Sequence, residues 1–227
     1  MELSDNTVSV LKNYASINPN VVLSEGNTIK TISEGRNVIS SATLDTPFPQ
    51  TVGIYDLHEF LQVLDLVEKP RLKFDDSYLT VIDSTGRSHV RYYYSSLDIL
   101  TKPSKDIAMP APEVSFDLDR STFVKILKAA SALGHENVLV RCKNKIVSLS
   151  VIDSSDPSSN TYTIDVEGSY EDSVPEDHVF IFAIKNWKMI DGDYKVELST
   201  KNISHFVNKN LPVEYWVAIE SNKTNGV

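Results

Sequence analysis

The sequence has a single cysteine, Cys142, so an intrachain disulfide framework is excluded and a reducing compartment is expected. Only 8 glycines occur, and neither GxxxxGKS/T nor GxGxxG is present, which removes the Gly-rich cradles for nucleotide phosphates. No apolar run reaches the roughly 18 residues that a membrane span requires, and no basic-then-apolar leader opens the chain. A soluble cytosolic protein without membrane contact is expected. Positive charge is also in the minority: 22 Lys and Arg stand against 31 Asp and Glu, a formal net charge of -9. Such a surface cannot coat nucleic acid or an anionic membrane as a whole, so any DNA-facing surface has to be local.

Catalytic and metal chemistry are equally thin. His58, His89, His135, His178 and His205 are scattered, and no pair has the spacing of a helical metal site. Asp75-Asp76 and the Asp153 to Asp156 loop could hold Mg²⁺, but both lie at predicted turns, where Asp is favoured for backbone reasons. Cys142 sits in a strand-like stretch and reads as a small core filler. No metal and no cofactor are expected, and nothing argues for an enzyme.

What is present is one pattern written twice. Val8, Leu11 and Lys12 recur at a constant offset as Val124, Leu127 and Lys128; Val10 is echoed by Ile126, Ile17 by Leu133, and Val22-Leu23 by Val138-Leu139. Leu118 to His135 reads as a helix. At about 100° per residue, Phe123, Ile126, Leu127, Ala130 and Leu133 form one stripe, with Ser121, Lys125, Lys128 and Ala132 opposite. In the first copy Val10, Leu11, Tyr14 and Ile17 face inward, and Asp5, Ser9, Lys12 and Ser16 outward. Ser4 and Asp119 are the expected N-caps.

After the first helix the chain reads as short strands broken by Glu25-Gly26-Asn27 and Glu34-Gly35-Arg36. A helix capped by Asp56 follows, with Leu57, Phe60, Leu61 and Leu64 on one face, and then three more strands, Arg71 to Phe74, Tyr78 to Ile82 and His89 to Ser95. From Leu97 to Glu113 the texture changes to Pro103, Pro110 and Pro112 among Lys102, Lys105 and Asp106, an extended connector. The second half repeats the order, with a short helix expected at Lys185 to Ile190 and a last strand at Val213 to Ile219. The fold class is α+β in two like domains, residues 1–98 and 113–227, joined by residues 99–112.

A Lys opposite an apolar stripe is ordinarily a solvated face. Here Lys12 and Lys128 occupy the same place in both copies, and Lys185 and Lys188 form a further pair on the expected short helix. The helix from Leu57 offers His58, Glu59, Gln62 and Asp65 to solvent and no cation, so any positive lining is uneven.

Four segments, LSDNTVSVLKNYASINPNVVLS from Leu3, YDLHEFLQVLDLV from Tyr55, DGDYKVEL from Asp191 and YWVAIES from Tyr215, resemble the DNA polymerase sliding clamps of T-even-like phages in the right order. The resemblance implies a clamp fold: a head-to-tail homotrimeric ring, sheets outside, helices lining a central channel that duplex DNA threads. It also implies a processivity role for a phage DNA polymerase in the host cytoplasm, opening by an ATP-dependent clamp loader, and a part in late transcription with its factors. Lys12, Arg120, Lys125, Lys128, Lys185 and Lys188 are then the candidate DNA-facing residues. The last strand of the first domain, with His89, Arg91 and Tyr93, is expected to pair with a neighbour's Tyr162, Ile164 and Val166. An apolar pocket for a partner's terminal peptide is expected between the connector, with Ile107 and Met109 exposed, and the last strand, with Trp216 and Ala218. For Trp216 an alternative is that it fills the core of the second domain.

Two other readings compete. A β-rich, internally duplicated phage structural or assembly protein predicts no clustering of Lys12, Lys125, Lys128, Lys185 and Lys188. A metal-dependent nuclease predicts clustered carboxylates.

Overall fold

The computed structural model describes residues 1–104 and 107–220, so Lys105 and Asp106 of the connector lie outside the described residues. Two compact units divide the chain, Met1–Asp106 and Ile107–Val227.

The first unit begins with α1, Asp5–Ile17. Ser4 starts it as expected: its Oγ accepts from Thr7 N at 3.1 Å, satisfying one of the orphan amides of the first turn. Val10, Leu11, Tyr14 and Ile17 are buried, while Asp5, Ser9, Lys12 and Ser16 face solvent. Asn18 ends the helix and fastens it. Its backbone turns extended, its Nδ2 donates to Ile32 O at 2.7 Å, and its Oδ1 accepts from Asn20 N at 2.9 Å. Tyr14 OH adds a buried bond to Ile29 O at 3.2 Å.

The strands β1 Val21–Leu23, β2 Gly26–Ile32, β3 Val38–Phe48 and β4 Val52–Ile54 then form an antiparallel sheet in the order β3-β2-β1-β4. β3 runs past the expected end at Leu44. The polar Asp45-Thr46-Pro47 disguises the continuation, and a bulge between Gly26 and Thr28 lets Phe48 pair with Gly26 and bury completely. Next comes α2, Leu57–Asp65, capped by Asp56, whose Oδ1 accepts from Glu59 N at 2.9 Å. Its expected inner face, Leu57, Phe60, Leu61 and Leu64, is buried. β5 Arg71–Phe74, β6 Tyr78–Ile82 and β7 His89–Tyr93 complete the unit in the order β5-β6-β7.

The second unit contains a strand that the sequence reading missed, β8 Val114–Leu118. Its signal was alternation: Val114, Phe116 and Leu118 are buried, with Ser115 and Asp117 between them. Leu118 therefore ends a strand, and the helix α3 is Arg120–Leu133, shorter than Leu118 to His135. Asp119 caps it, accepting from Thr122 N at 2.9 Å and Thr122 Oγ1 at 2.8 Å. Gly134 closes it in the left-handed region, φ 70°. Thr122, Phe123, Ile126 and Ala130 are buried; Leu127 and Leu133, expected on the stripe, are half-buried at its margin.

Beyond α3 lie β9 Asn137–Lys143, β10 Ile146–Ile152, β11 Tyr162–Val166, a short β12 Gly168–Tyr170, and β13 His178–Ala183. The last three strands are β14 Tyr194–Ser199, β15 Ile203–Asn208 and β16 Val213–Val217. One sheet runs β11-β10-β9-β13, and β14-β15-β16 are consecutive neighbours with β8 and β12 added beyond β14. The order β3-β2-β1-β4 thus matches β11-β10-β9-β13, and β5-β6-β7 matches β14-β15-β16. The duplicated sequence has folded into duplicated topology.

The expected short helix at Lys185 to Ile190 is not formed. A single 3-10 turn covers Ile184–Asn186. Ala183, Asn186 and Trp187 bury at helical intervals, but Met189 is buried as well, about 200° round a helix from Trp187, so the segment lacks the single apolar stripe that α2 has. Trp187 lies over Phe123 of α3, ring centroids 6.0 Å apart at 25°, and meets Phe182 and Phe206 edge-on.

Two stability predictions follow from these contacts. A Cβ at Gly53 would lie 2.6 Å from Ser95 O and 2.7 Å from Leu100 Cδ1, so Gly53→Ala lowers stability. A loss of about 1–3 kcal/mol is expected in denaturant titration, and an unchanged midpoint contradicts this packing. Backbone and side-chain bonds from Thr122 hold the Asp119 carboxyl below its ordinary value. A lowered folded pKa contributes stability above the unfolded value and loses it as pH falls through the folded one. Asp119→Ala therefore costs about 1 kcal/mol at neutral pH, and melts recorded down the acid limb show that difference closing.

Candidate functional site

Lys12 on α1 and Lys125 and Lys128 on α3 are all exposed, each opposite its helix's buried stripe. α2 exposes His58, Glu59, Gln62 and Asp65 and adds no cation. Lys185 and Lys188 are exposed too, but they flank Asn186 and Trp187 on the 3-10 turn and the irregular chain that follows it, not a helix. Arg120 is differently placed. Its Nε donates to Asp191 Oδ2 at 2.7 Å and its Nη2 lies 2.6 Å from the same oxygen. Hydrogen bonding to Asp191 raises the Arg120 pKa, and Asp193 Oδ1 accepts from Arg120 N at 2.7 Å. The charge at the start of α3 is thus largely matched, a pairing across the sequence that residue spacing did not reveal. With Arg120 matched, the positive charge that these helices offer resides in Lys12, Lys125 and Lys128.

A second feature is backbone chemistry left open. β7 is bonded to β6 on one side and is the last strand of its row; β11 is bonded to β10 and ends its own. The opposite edge, β5, is covered in part by the chain start, where Glu2 bridges Arg71 and Leu72 N donates to Met1 O at 2.7 Å. On β7 the candidate residues His89, Arg91 and Tyr93 form the exposed face. Val90 and Tyr92 lie on the other, Tyr92 edge-on to Phe60 of α2 at 5.2 Å. On β11 the candidates Tyr162, Ile164 and Val166 form the half-buried face, in register with the buried Val151, Leu149 and Val147 of β10. The exposed residues there are Thr163 and Asp165, which the sequence reading passed over because it followed the apolar set.

The third feature is on the face of β14, β15 and β16 opposite the core. Tyr215 and Val217 point into the core, and Trp216 and Ala218 are half-buried, as alternation requires. Buried Ser204 pins the end of β16, its Oγ accepting from Val217 N at 3.1 Å and donating to Val217 O at 2.5 Å. Trp216 stacks on His205, ring centroids 4.8 Å apart at 11°. His205 is held in turn by Glu214 Oε2 at 2.8 Å and Glu197 Oε2 at 3.4 Å. Bonding from Lys195, with help from His205, keeps the Glu197 carboxyl below its ordinary value. Among the described residues Trp216 Nε1 is buried without a hydrogen-bond partner. Trp216 is therefore not core filler; it is a ring braced from one side on a polar platform. Ile107 and Met109, expected to be exposed, are half-buried in the segment preceding β8.

The remaining candidates are structural. Cys142 is fully buried, and burial pushes its thiol up to about 11, far from a reactive thiolate. Asp153 accepts from Ser155 N at 2.8 Å and Asp156 from Ser158 N at 2.9 Å, two Asx turns of the kind the loop composition suggested. Among the described residues no group of three or more His, Cys, Asp or Glu is placed to hold a metal ion, and no helix is long and apolar enough to cross a membrane.

Comparison with known proteins covers both units. A family model described as DNA polymerase processivity factor matches residues 4–95, and one described as gp45 sliding clamp, C terminal, matches residues 115–221. The sliding clamp of Vibrio phage KVP40 is 29% identical over 226 residues, covering 97% of this chain and 100% of its own. That of Escherichia phage RB69 is 26% identical over 236 residues, covering 99% of each. A solved structure of the C-terminal region of FEN-1 bound to A. fulgidus PCNA superposes at a TM-score of 0.69 with 15% identity, covering 95% of each chain; this likeness speaks to the fold alone. Matched from end to end, in one order, by phage clamps and by models of both clamp halves, the chain belongs to the sliding-clamp family of DNA polymerase processivity factors.

Proposed function

We propose that three copies of this chain close head to tail into a ring around duplex DNA and hold the phage DNA polymerase at the primer end. The observation that carries the reading is the pair of open edges, β7 in one unit and β11 in the other. A contact between two different patches of the same chain is heterologous; it propagates until it closes, and closure leaves no free edge. In this arrangement residues 1–98 and 113–227 serve as the two clamp domains and residues 99–112 as their connector. β7, the strand that carries His89, Arg91 and Tyr93, adds to a neighbour's β11, the strand that carries Tyr162, Ile164 and Val166, by strand pairing between chains.

Lys12, Lys125, Lys128, Lys185 and Lys188 face the DNA, with Arg120 contributing less because Asp191 matches it. Three chains at -9 each sum to -27, so the ring as a whole repels DNA and only the lysine-bearing faces attract it. Few phosphate contacts give weak, salt-sensitive, sequence-independent binding, which suits a tether that slides. Retention is topological, and processivity comes from effective concentration with no bond made or broken. A closed ring admits no duplex without ends, so an ATP-dependent loader has to open it. Late-transcription factors are further partners on the same reasoning by family. Such a protein works in the host cytoplasm.

Polymerase docks by a short terminal peptide on the half-buried Trp216 and Ala218, with Ile107 and Met109 at the border. The A. fulgidus PCNA structure, which binds the C-terminal region of FEN-1, is a precedent for such docking. An aromatic and a Met suit an adaptable anchor site.

Two experiments test these assignments. Lys125→Glu combined with Lys128→Glu is expected to shorten polymerase run lengths on primed circular DNA by about tenfold, while the molar mass of the assembly is unchanged. Run lengths equal to wild type remove the α3 face from the DNA path. Trp216→Ala is expected to weaken binding of the polymerase's C-terminal peptide by about 2 kcal/mol, read by calorimetry. Unchanged affinity with the fold intact takes Trp216 out of the site.

A further inference from the structure

The two open edges are oppositely charged on the faces they turn to solvent. On β7 that face carries His89 and Arg91, with Arg87 just before it in the hairpin. On β11 it carries Thr163 and Asp165, with Glu167 just after. Neither set is neutralised by its own sheet. Arg91 sits opposite Thr80 and His89 opposite Ile82, while Asp165 sits opposite Ser148 and Thr163 opposite Ser150. Thr163 Oγ1 and Ser150 Oγ are 2.8 Å apart, so Thr163 already has a partner within the sheet. Arg91 lies over the ring of Tyr78, 5.2 Å from its centroid, which holds the guanidinium on the exposed face. Other cations of these two sheets are engaged: Arg141 and Lys143 with Asp177, at 3.3 Å and 2.8 Å, and Lys73 near Asp75 at 4.0 Å.

We propose that Arg91 on β7, with Arg87 just before the strand, and Asp165 on β11, with Glu167 just after it, are the specificity determinants that make a second copy of this chain dock head to tail. The proposal rests on the reading that β7 and β11 meet. Backbone hydrogen bonds between strand edges carry no identity, so nothing in them prevents β7 from pairing with another β7, or β11 with another β11. Either would give a twofold contact that uses up one of the two kinds of edge on both chains and so cannot propagate head to tail into a ring. Side chains decide instead. Like charges directly opposite across a strand pair are destabilising, and unlike charges stabilising. Two β7 edges bring arginines together; two β11 edges bring carboxylates together; only the mixed pair matches.

The faces also align. Val90 and Tyr92 continue into Tyr162, Ile164 and Val166 as one inner apolar face, which places His89 and Arg91 on the same side as Thr163 and Asp165. Being exposed, these ion pairs are screened by salt, so the charge code acts most strongly at low ionic strength.

Sedimentation equilibrium on the full chain, at low and high salt, tests this. Arg91→Glu is expected to raise the concentration needed for half-assembly by about tenfold at low salt, with the difference shrinking at high salt. Adding Asp165→Lys to the same chain restores assembly, and that double variant, mixed with differently labelled wild type, assembles with itself and not with wild type. Matching melting curves for the dissociated variants show that each fold is intact. Wild-type assembly by Arg91→Glu at both salts overturns the proposal, as does free mixing of the double variant with wild type. If Arg91→Glu assembles normally and loses only retention on DNA, the basic face serves nucleic acid, and the proposal is again overturned. A wild-type chain that stays monomeric at every concentration defeats the ring reading itself, a result distinct from the others.

Discussion

An unpaired strand edge is a row of amide and carbonyl groups that water satisfies less specifically than another strand does, and among the described residues β7 and β11 are each paired along one side only. β5 is partly covered by the chain start, and β11 gives way to β12, which leaves to pair with β8. β7 and β11 are left as the ends of their rows. A soluble monomer ordinarily blunts such edges. Keeping both open, in a chain where one carries arginines and the other carboxylates, makes sense when a copy of the same chain covers each.

The rest of the fold serves this constraint. The repeat β3-β2-β1-β4 and β11-β10-β9-β13 makes β11 the counterpart of β3, and the repeat β5-β6-β7 and β14-β15-β16 makes β7 the counterpart of β16. Duplication therefore gives each unit one strand of each kind. It also places α1 and α3 alike, so Lys12 and Lys128 recur on corresponding faces. Where the copies diverge, so does the charge they expose: α2 is a full helix with an acidic to neutral outer face, whereas its counterpart is a turn that buries Trp187 against α3 and exposes Lys185 and Lys188.

Much of this was legible in the residues, because the period of apolar burial reports the element directly. Leu57, Phe60, Leu61 and Leu64 announce a helix, and the structure has one. The same rule, applied with more care, separates Trp187 and Met189 from a helix and Val114, Phe116 and Leu118 from the start of one. What the sequence concealed was contact at a distance. Arg120 meets Asp191, and Trp216 finds its platform in His205, Glu197 and Glu214, through strand register that no local pattern encodes. The alternation of Tyr162, Ile164 and Val166 was visible in the residues; Asp165, which faces outward with Thr163, did not stand out, because a single exposed aspartate looks like any solvated position until the strand is known to be an edge.

Closure of the ring is the central claim, and molar mass by light scattering over a wide concentration range tests it most directly. A ring of three chains gives a mass approaching three times 25.4 kDa, about 76 kDa, as concentration rises, with no plateau at the dimer. A chain that stays at 25.4 kDa, or that stops at twice that mass, contradicts it.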